Sequence, residues 1–179
     1  ADDHFTHVHK DSVDGVLRAV RDAGIRCRMA RLTINDKDAV PEPFRENLDT
    51  ALSETERVKK KWEDDSITVT ASTIGITYCE PDQLKALWEW TVANDRQFDI
   101  HAPAVFDQKY LAKRRGWTGG SFEWLDDAGI LRPNVIAAHA QNLRPGEAEL
   151  IKDRGATISL VPDMEQVLGL VSFDARQFL

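Results

Sequence analysis

The sequence predicts an α/β protein built on a parallel sheet. Helical patterns alternate with short β-branched runs along the chain, which is the pattern of a parallel sheet covered by helices. No G-x-G-x-x-G or G-x-x-x-x-G-K-[ST] phosphate loop is present. Histidines stand where two of the apolar runs stop, at His101 and His139. Alternation alone fits both an open doubly wound sheet and a closed (β/α)8 barrel. The missing phosphate loop counts against an open nucleotide-binding sheet. Polar residues at successive strand ends favour the barrel, because catalytic groups converge on that rim. The length of 179 residues suggests one domain, 1–179, with a real core.

Each element has its own signal. "SVDGVLRAVRDAG" reads as a helix, with Ser12 able to cap its start and Gly24 to end it. Its apolar stripe is Val13, Val16, Leu17 and Val20. "IRCRMARL" alternates like a strand, and a loop with Pro41 and Pro43 follows. "FRENLDTALSETERVKKKWE" reads as a longer helix with Leu48, Leu52, Thr55 and Val58 on one face. "SITVTAST" is a strand, and "EPDQLKALWEWTVAND" a helix with Pro81 in its first turn. "QFDIHAP" and "PNVIAAHA" are strands ending near His101 and His139. "RPGEAELIKDRG" is a helix closed by Gly155, and "ATISLVP" is the next strand. A last helix is expected from near Ser172 onward.

The bulk numbers exclude some partners. The net charge of -7 and the lack of a basic stripe argue against nucleic acid. Lys59, Lys60 and Lys61 flank Trp62 and precede Glu63, Asp64 and Asp65, which reads as a solvated helix end. No apolar run is long enough for a membrane span, and the first residues do not look like a signal peptide. Cys27 and Cys79 make no disulfide framework, so a cytoplasmic setting is the expectation.

Several residues are candidates for chemistry. His101 at a strand end suits a metal ligand, and His139 suits a base contacting substrate or water. Both also fit plain hydrogen-bonded structural histidines. His7 and His9 would share one face of a strand and are competent ligands, although zinc needs three or four. Asp163 and Glu165 follow the last strand and are read as loop acids able to orient a substrate. Trp117 and Phe122 could line a pocket, and Gly119 with Gly120 suggests a mobile connection. Cys79 could act as a nucleophile, with no histidine near it in sequence.

The order of these motifs resembles the metal-dependent amidohydrolase superfamily, in the branch of chlorohydrolases and guanine deaminases. The resemblance is carried by Leu125, Gly129, Ile130, Leu131, Ala138, His139, Gly155, Ala156 and Pro162, and extends over nearly the whole chain. It implies a (β/α)8 hydrolase that uses zinc or iron. The metal-activated water would attack a C–N or C–halogen carbon of a small-molecule ring or amide substrate. It implies that His101 is the fifth-strand metal ligand and His139 the sixth-strand residue contacting substrate or water. It also implies that His7 and His9 fall in the second-strand region, outside the family's His-x-His pair.

Three departures from the pattern stand out. The family's His-x-x-Glu becomes His101-Ala102-Pro103-Ala104, so the proton-shuttling acid is replaced by Ala104. Glu165 and Leu170 stand about where the family has Asn and Gly. The matched stretch runs from about strand 2 to helix 7 of the barrel, so the predicted fold is an incomplete barrel of the TIM type. Such a piece would have open edges, to be covered by more of a longer protein or by copies of itself. The expected function is amidohydrolase-like hydrolysis. The alternative is a non-catalytic, barrel-derived binding or scaffold protein, or an inert fragment that lacks the catalytic Glu and most metal ligands.

Overall fold

A computed structural model describes residues 2–5, 12–102, 105–167, 169 and 176, with side chains also left undescribed at 2–5, 105–107, 164 and 165. Its strands are β1 (Asp2–Phe5), β2 (Cys27–Thr33), β3 (Ile67–Thr73), β4 (Phe98–Ala102), β5 (Val135–His139) and β6 (Thr157–Ser159). Its α-helices are α1 (Ser12–Ala23), α2 (Leu48–Trp62), α3 (Pro81–Ala93), α4 (Val105–Tyr110), α5 (Ser121–Asp127), α6 (Glu147–Arg154) and α7 (Pro162–Val167). A 3-10 turn at Glu42–Phe44 precedes α2, and a π-turn at Leu111–Arg115 continues α4. Within each of the chain's two units, hydrogen-bonded strand neighbours follow chain order, as strand–helix–strand alternation predicts.

The chain forms two compact units, one of residues 1–74 and 78–99, the other of residues 75–77 and 100–179. In the first, β1 and β3 flank β2 in parallel, with Asp2 beside Met29 and Cys27 beside Ile67. Val13, Leu17, Met29, Val58, Trp62, Ile67 and Val69 form its core. The predicted stripe of α1 packs there, with Val16 and Val20 at its edge. The buried face of α2 is Ala51, Thr55, Val58 and Trp62, one position round from the predicted stripe, and Leu48 and Leu52 are only half-buried. That helix also starts later than its apolar pattern suggests. The Asn47 side chain accepts the Thr50 N–H at 2.9 Å, and this cap fixes the first turn.

Polar ties hold the elements of this unit. Asp14 is buried on α1 and accepts from the Trp62 indole, from Arg57 at 3.0 Å and from Lys61 at 3.2 Å. Lys59 donates to Asn94 at 2.7 Å, so the lysine run is partly a helix-packing device. A further tie is at the end of β2, where Arg31 is 1% exposed and grips Glu46 with both guanidinium nitrogens, at 2.8 and 3.0 Å.

In the second unit, β5 and β6 pair in parallel, with Ile136 beside Thr157 and Ala138 beside Ser159. Ala140 N donates to Ala102 O at 2.8 Å, which ties the end of β5 to the end of β4. The expected strand through Pro162 is shorter in the structure. It spans Thr157–Ser159, and Pro162 opens α7, where its missing N–H costs nothing. Asp163 and Glu165 therefore lie on a helix and not in a loop. The helix expected from Ser172 lies outside the described residues.

Candidate functional site at the strand ends

Strand geometry places the two central histidines. On β4, Phe98, Ile100 and Ala102 are buried on one face, and alternation puts Asp99 and His101 on the other. His101 is half-buried one residue before the strand stops. His139 is the last residue of β5 and is also half-buried. The two rings meet edge to face, with centroids 5.1 Å apart and an interplanar angle of 84°. Gly75 lies against the His101 backbone, where an added Cβ would stand 3.0 Å from His101 O.

The backbone after β5 is strained. His139, Ala140 and Asn142 have φ of 76°, 49° and 54°, the left-handed region that side chains other than glycine rarely adopt. Strain of this kind persists where the surrounding structure over-determines it, and it concentrates at functional sites. Here the Ala140–Ala102 hydrogen bond and the Gln108 Nε2 donation to Asn142 O, at 3.2 Å, hold the turn in place.

The pair has the spacing for shared chemistry. Two imidazoles on one tetrahedral zinc, with Zn–N near 2.0–2.1 Å, have ring centres roughly 5 Å apart. The same spacing suits one imidazole on a metal and one on its bound water. Among the described residues no third His, Cys, Asp or Glu completes a metal-holding group. The two imidazoles alone do not make up a metal site among the described residues. His7, His9 and Ala104 lie outside the described residues.

The other sequence candidates go elsewhere. Phe122 is fully buried with Leu125 in the core of its unit. Trp117 donates its indole N–H to Gly120 O at 3.0 Å. The expected mobile glycine pair is packed instead. Glu147, with no exposed surface, accepts from Phe122 N at 2.8 Å and from Arg144 N at 2.8 Å. A Cβ on Gly120 would fall on the Glu147 carboxylate. Gly120→Ala should therefore cost about 2 kcal/mol in urea denaturation by pushing a buried acceptor off its donors. Gly15→Ala, with open space around it in α1, should be neutral or slightly stabilising. Cys79 is buried and forms no disulfide. Asp163 is exposed.

Parallel strands joined by helices, with two imidazoles at adjacent strand ends, fit part of a barrel of the (β/α)8 type. The chain belongs to the amidohydrolase family, whose model matches residues 1–179. It is 28% identical over 160 residues to a 5'-deoxyadenosine deaminase of Methanothermobacter thermautotrophicus, covering 87% of this chain and 36% of that protein. It is 24% identical over 158 residues to a 5-methylthioadenosine/S-adenosylhomocysteine deaminase of Nitratidesulfovibrio vulgaris, covering 87% of this chain and 34% of that one.

Solved structures agree on the fold. A mutant of the atrazine chlorohydrolase of Arthrobacter aurescens, complexed with zinc and atraton, superposes with a TM-score of 0.89 at 17% identity, over 98% of this chain and 40% of that one. A guanine deaminase of C. acetobutylicum with bound guanine gives a TM-score of 0.82 at 20% identity, over 96% and 42%. The chain spans about two fifths of these relatives or less, so it corresponds to part of their barrel. No helix among the described residues is long and apolar enough to cross a membrane.

Proposed function

We propose that the protein is a metal-dependent hydrolase of a ring amine or amide, and that residues 1–179 are the central part of its single barrel domain. The observation that carries this reading is the edge-to-face pair of His101 and His139 at neighbouring strand ends. His101 takes the role of metal ligand, with zinc or iron as the ion. His139 takes the role of the residue that contacts substrate or the attacking water. The metal, when bound, would supply a hydroxide near neutral pH. The chain's own part is to hold two imidazoles at fixed separation, one on the strand and one on a strained turn. Adenosine-type deaminases among the relatives make 5'-deoxyadenosine the natural first probe.

A second reading has its own support. Ala104 stands in the position of the family's proton-shuttling Glu, and alanine transfers no proton. A barrel-derived binding or scaffold protein would tolerate that replacement.

Metal content tests the first reading. The purified protein should carry near-stoichiometric zinc or iron by elemental analysis. His101→Ala should abolish binding of that metal, because it removes one ligand from a site that needs three or four. Unchanged metal content in His101→Ala would overturn the assignment.

A further inference from the structure

We propose that Gln141 determines specificity at this strand-end site by donating a hydrogen bond from its side-chain amide to an acceptor atom of a planar nitrogen heterocycle. This rests on the ring-amine reading above. Gln141 is 3% exposed, and its Nε2 is buried without a hydrogen-bond partner. Asn142 Nδ2, the next amide along the chain, is buried in the same condition. Folded proteins rarely leave a sealed amide donor without an acceptor, and such a group calls for an explanation. Two in succession call for it more strongly.

Their place in the fold supplies the explanation. Gln141 lies two residues beyond His139. The intervening Ala140 is hydrogen-bonded to Ala102, the residue that follows His101. The donor therefore sits on the turn that leaves the end of β5 directly after His139, where Ala140 is tied to the end of β4. Nitrogen heterocycles such as purines and triazines carry ring nitrogens that accept hydrogen bonds, and an amide N–H2 is their complement. The Gln141 nitrogen is covered in the free protein, so it must turn out of its covered position to engage a ligand. No hydrogen bond on that nitrogen has to break for it to do so. Gln141 takes precedence over Asn142 because it is the more deeply buried of the two and has the longer reach.

The test uses the whole protein with 5'-deoxyadenosine and its 1-deaza, 3-deaza and 7-deaza analogues, each lacking one ring acceptor. Binding is measured by calorimetry for wild type and Gln141→Leu. The variant should bind the parent compound about 3- to 10-fold more weakly. For one deaza analogue the two proteins should bind alike, because the partner atom is already gone. Equal weakening for all four ligands, or no weakening, would overturn the inference and leave the ring-amine reading standing. If wild type binds none of the four, that reading fails and takes the inference with it. A ligand-free readout stands beside these. Leucine removes an unpartnered donor at similar volume, so the Tm of Gln141→Leu should equal or exceed that of wild type. A marked fall would show that the amide is structurally engaged, and would overturn the proposal.

Discussion

Replacing Ala104 by glutamate should raise hydrolysis of the ring amine of 5'-deoxyadenosine about 10²- to 10⁴-fold over the parent protein. Attack of water on a ring carbon moves one proton off the water and another onto the leaving amine. A positioned acid or base that carries them is worth this factor, and a methyl group carries neither. Ala104 lies three residues after His101 in the chain, the spacing at which the family's pattern has its Glu. Ammonia release measured for wild type and Ala104→Glu decides the matter. A gain of this size would mean that the rest of the site is competent. An unchanged rate, with metal bound and substrate binding intact, would favour the scaffold reading.

Glu46→Ala should destabilise the chain by about 3 kcal/mol or more in urea denaturation. Arg31 on β2 is one of the largest fully buried side chains, and Glu46 neutralises it through two hydrogen bonds. Ala51 O at 3.3 Å also accepts from that guanidinium, and it is uncharged. Removing the carboxylate would strand a buried cation, which costs more than the pair ever contributed. The double variant Arg31→Met with Glu46→Leu should recover most of the loss, since it removes both charges. The effect reaches the segment that follows β2. Glu46 N donates to Ile34 O at 2.9 Å and Glu46 O accepts from Gln83 at 3.0 Å, so this pair closes the loop between them.

Much of the fold was legible because its signals are local. The alternation of "CRMARLT" and "ITVTAST" with helical stripes marks β2 and β3 as strands, and Gly24 and Gly155 close α1 and α6 with φ of 67° and 69°. The strand-end positions of His101 and His139 followed from where apolar runs stop. Their edge-to-face contact did not, because β4 and β5 are separated by more than thirty residues and only pairing brings their ends together.

What the sequence does not reveal depends on long-range burial. Glu147 and Arg31 look like ordinary surface charges in sequence, and their partners lie 25 and 15 residues away. Gly119 and Gly120 read as a flexible link, yet Glu147 fills the space that a side chain would take. The orphaned amide of Gln141 has no sequence signal at all, since glutamine after "AHA" is unremarkable until its burial is known. Pro162 could end a strand or open a helix, and only the exposed, three-residue length of β6 decides for the helix.

The central claim is that His101 and His139 serve one metal-dependent site. The most direct measurement is a zinc titration of the whole protein followed by proton–nitrogen correlation spectra of the imidazoles, with His101→Ala and His139→Ala to assign the signals. The account predicts that both imidazole signals change together, with one midpoint, and that His101→Ala abolishes the change at His139. Shifts confined to other histidines, or a His139 response that survives in His101→Ala, would contradict it.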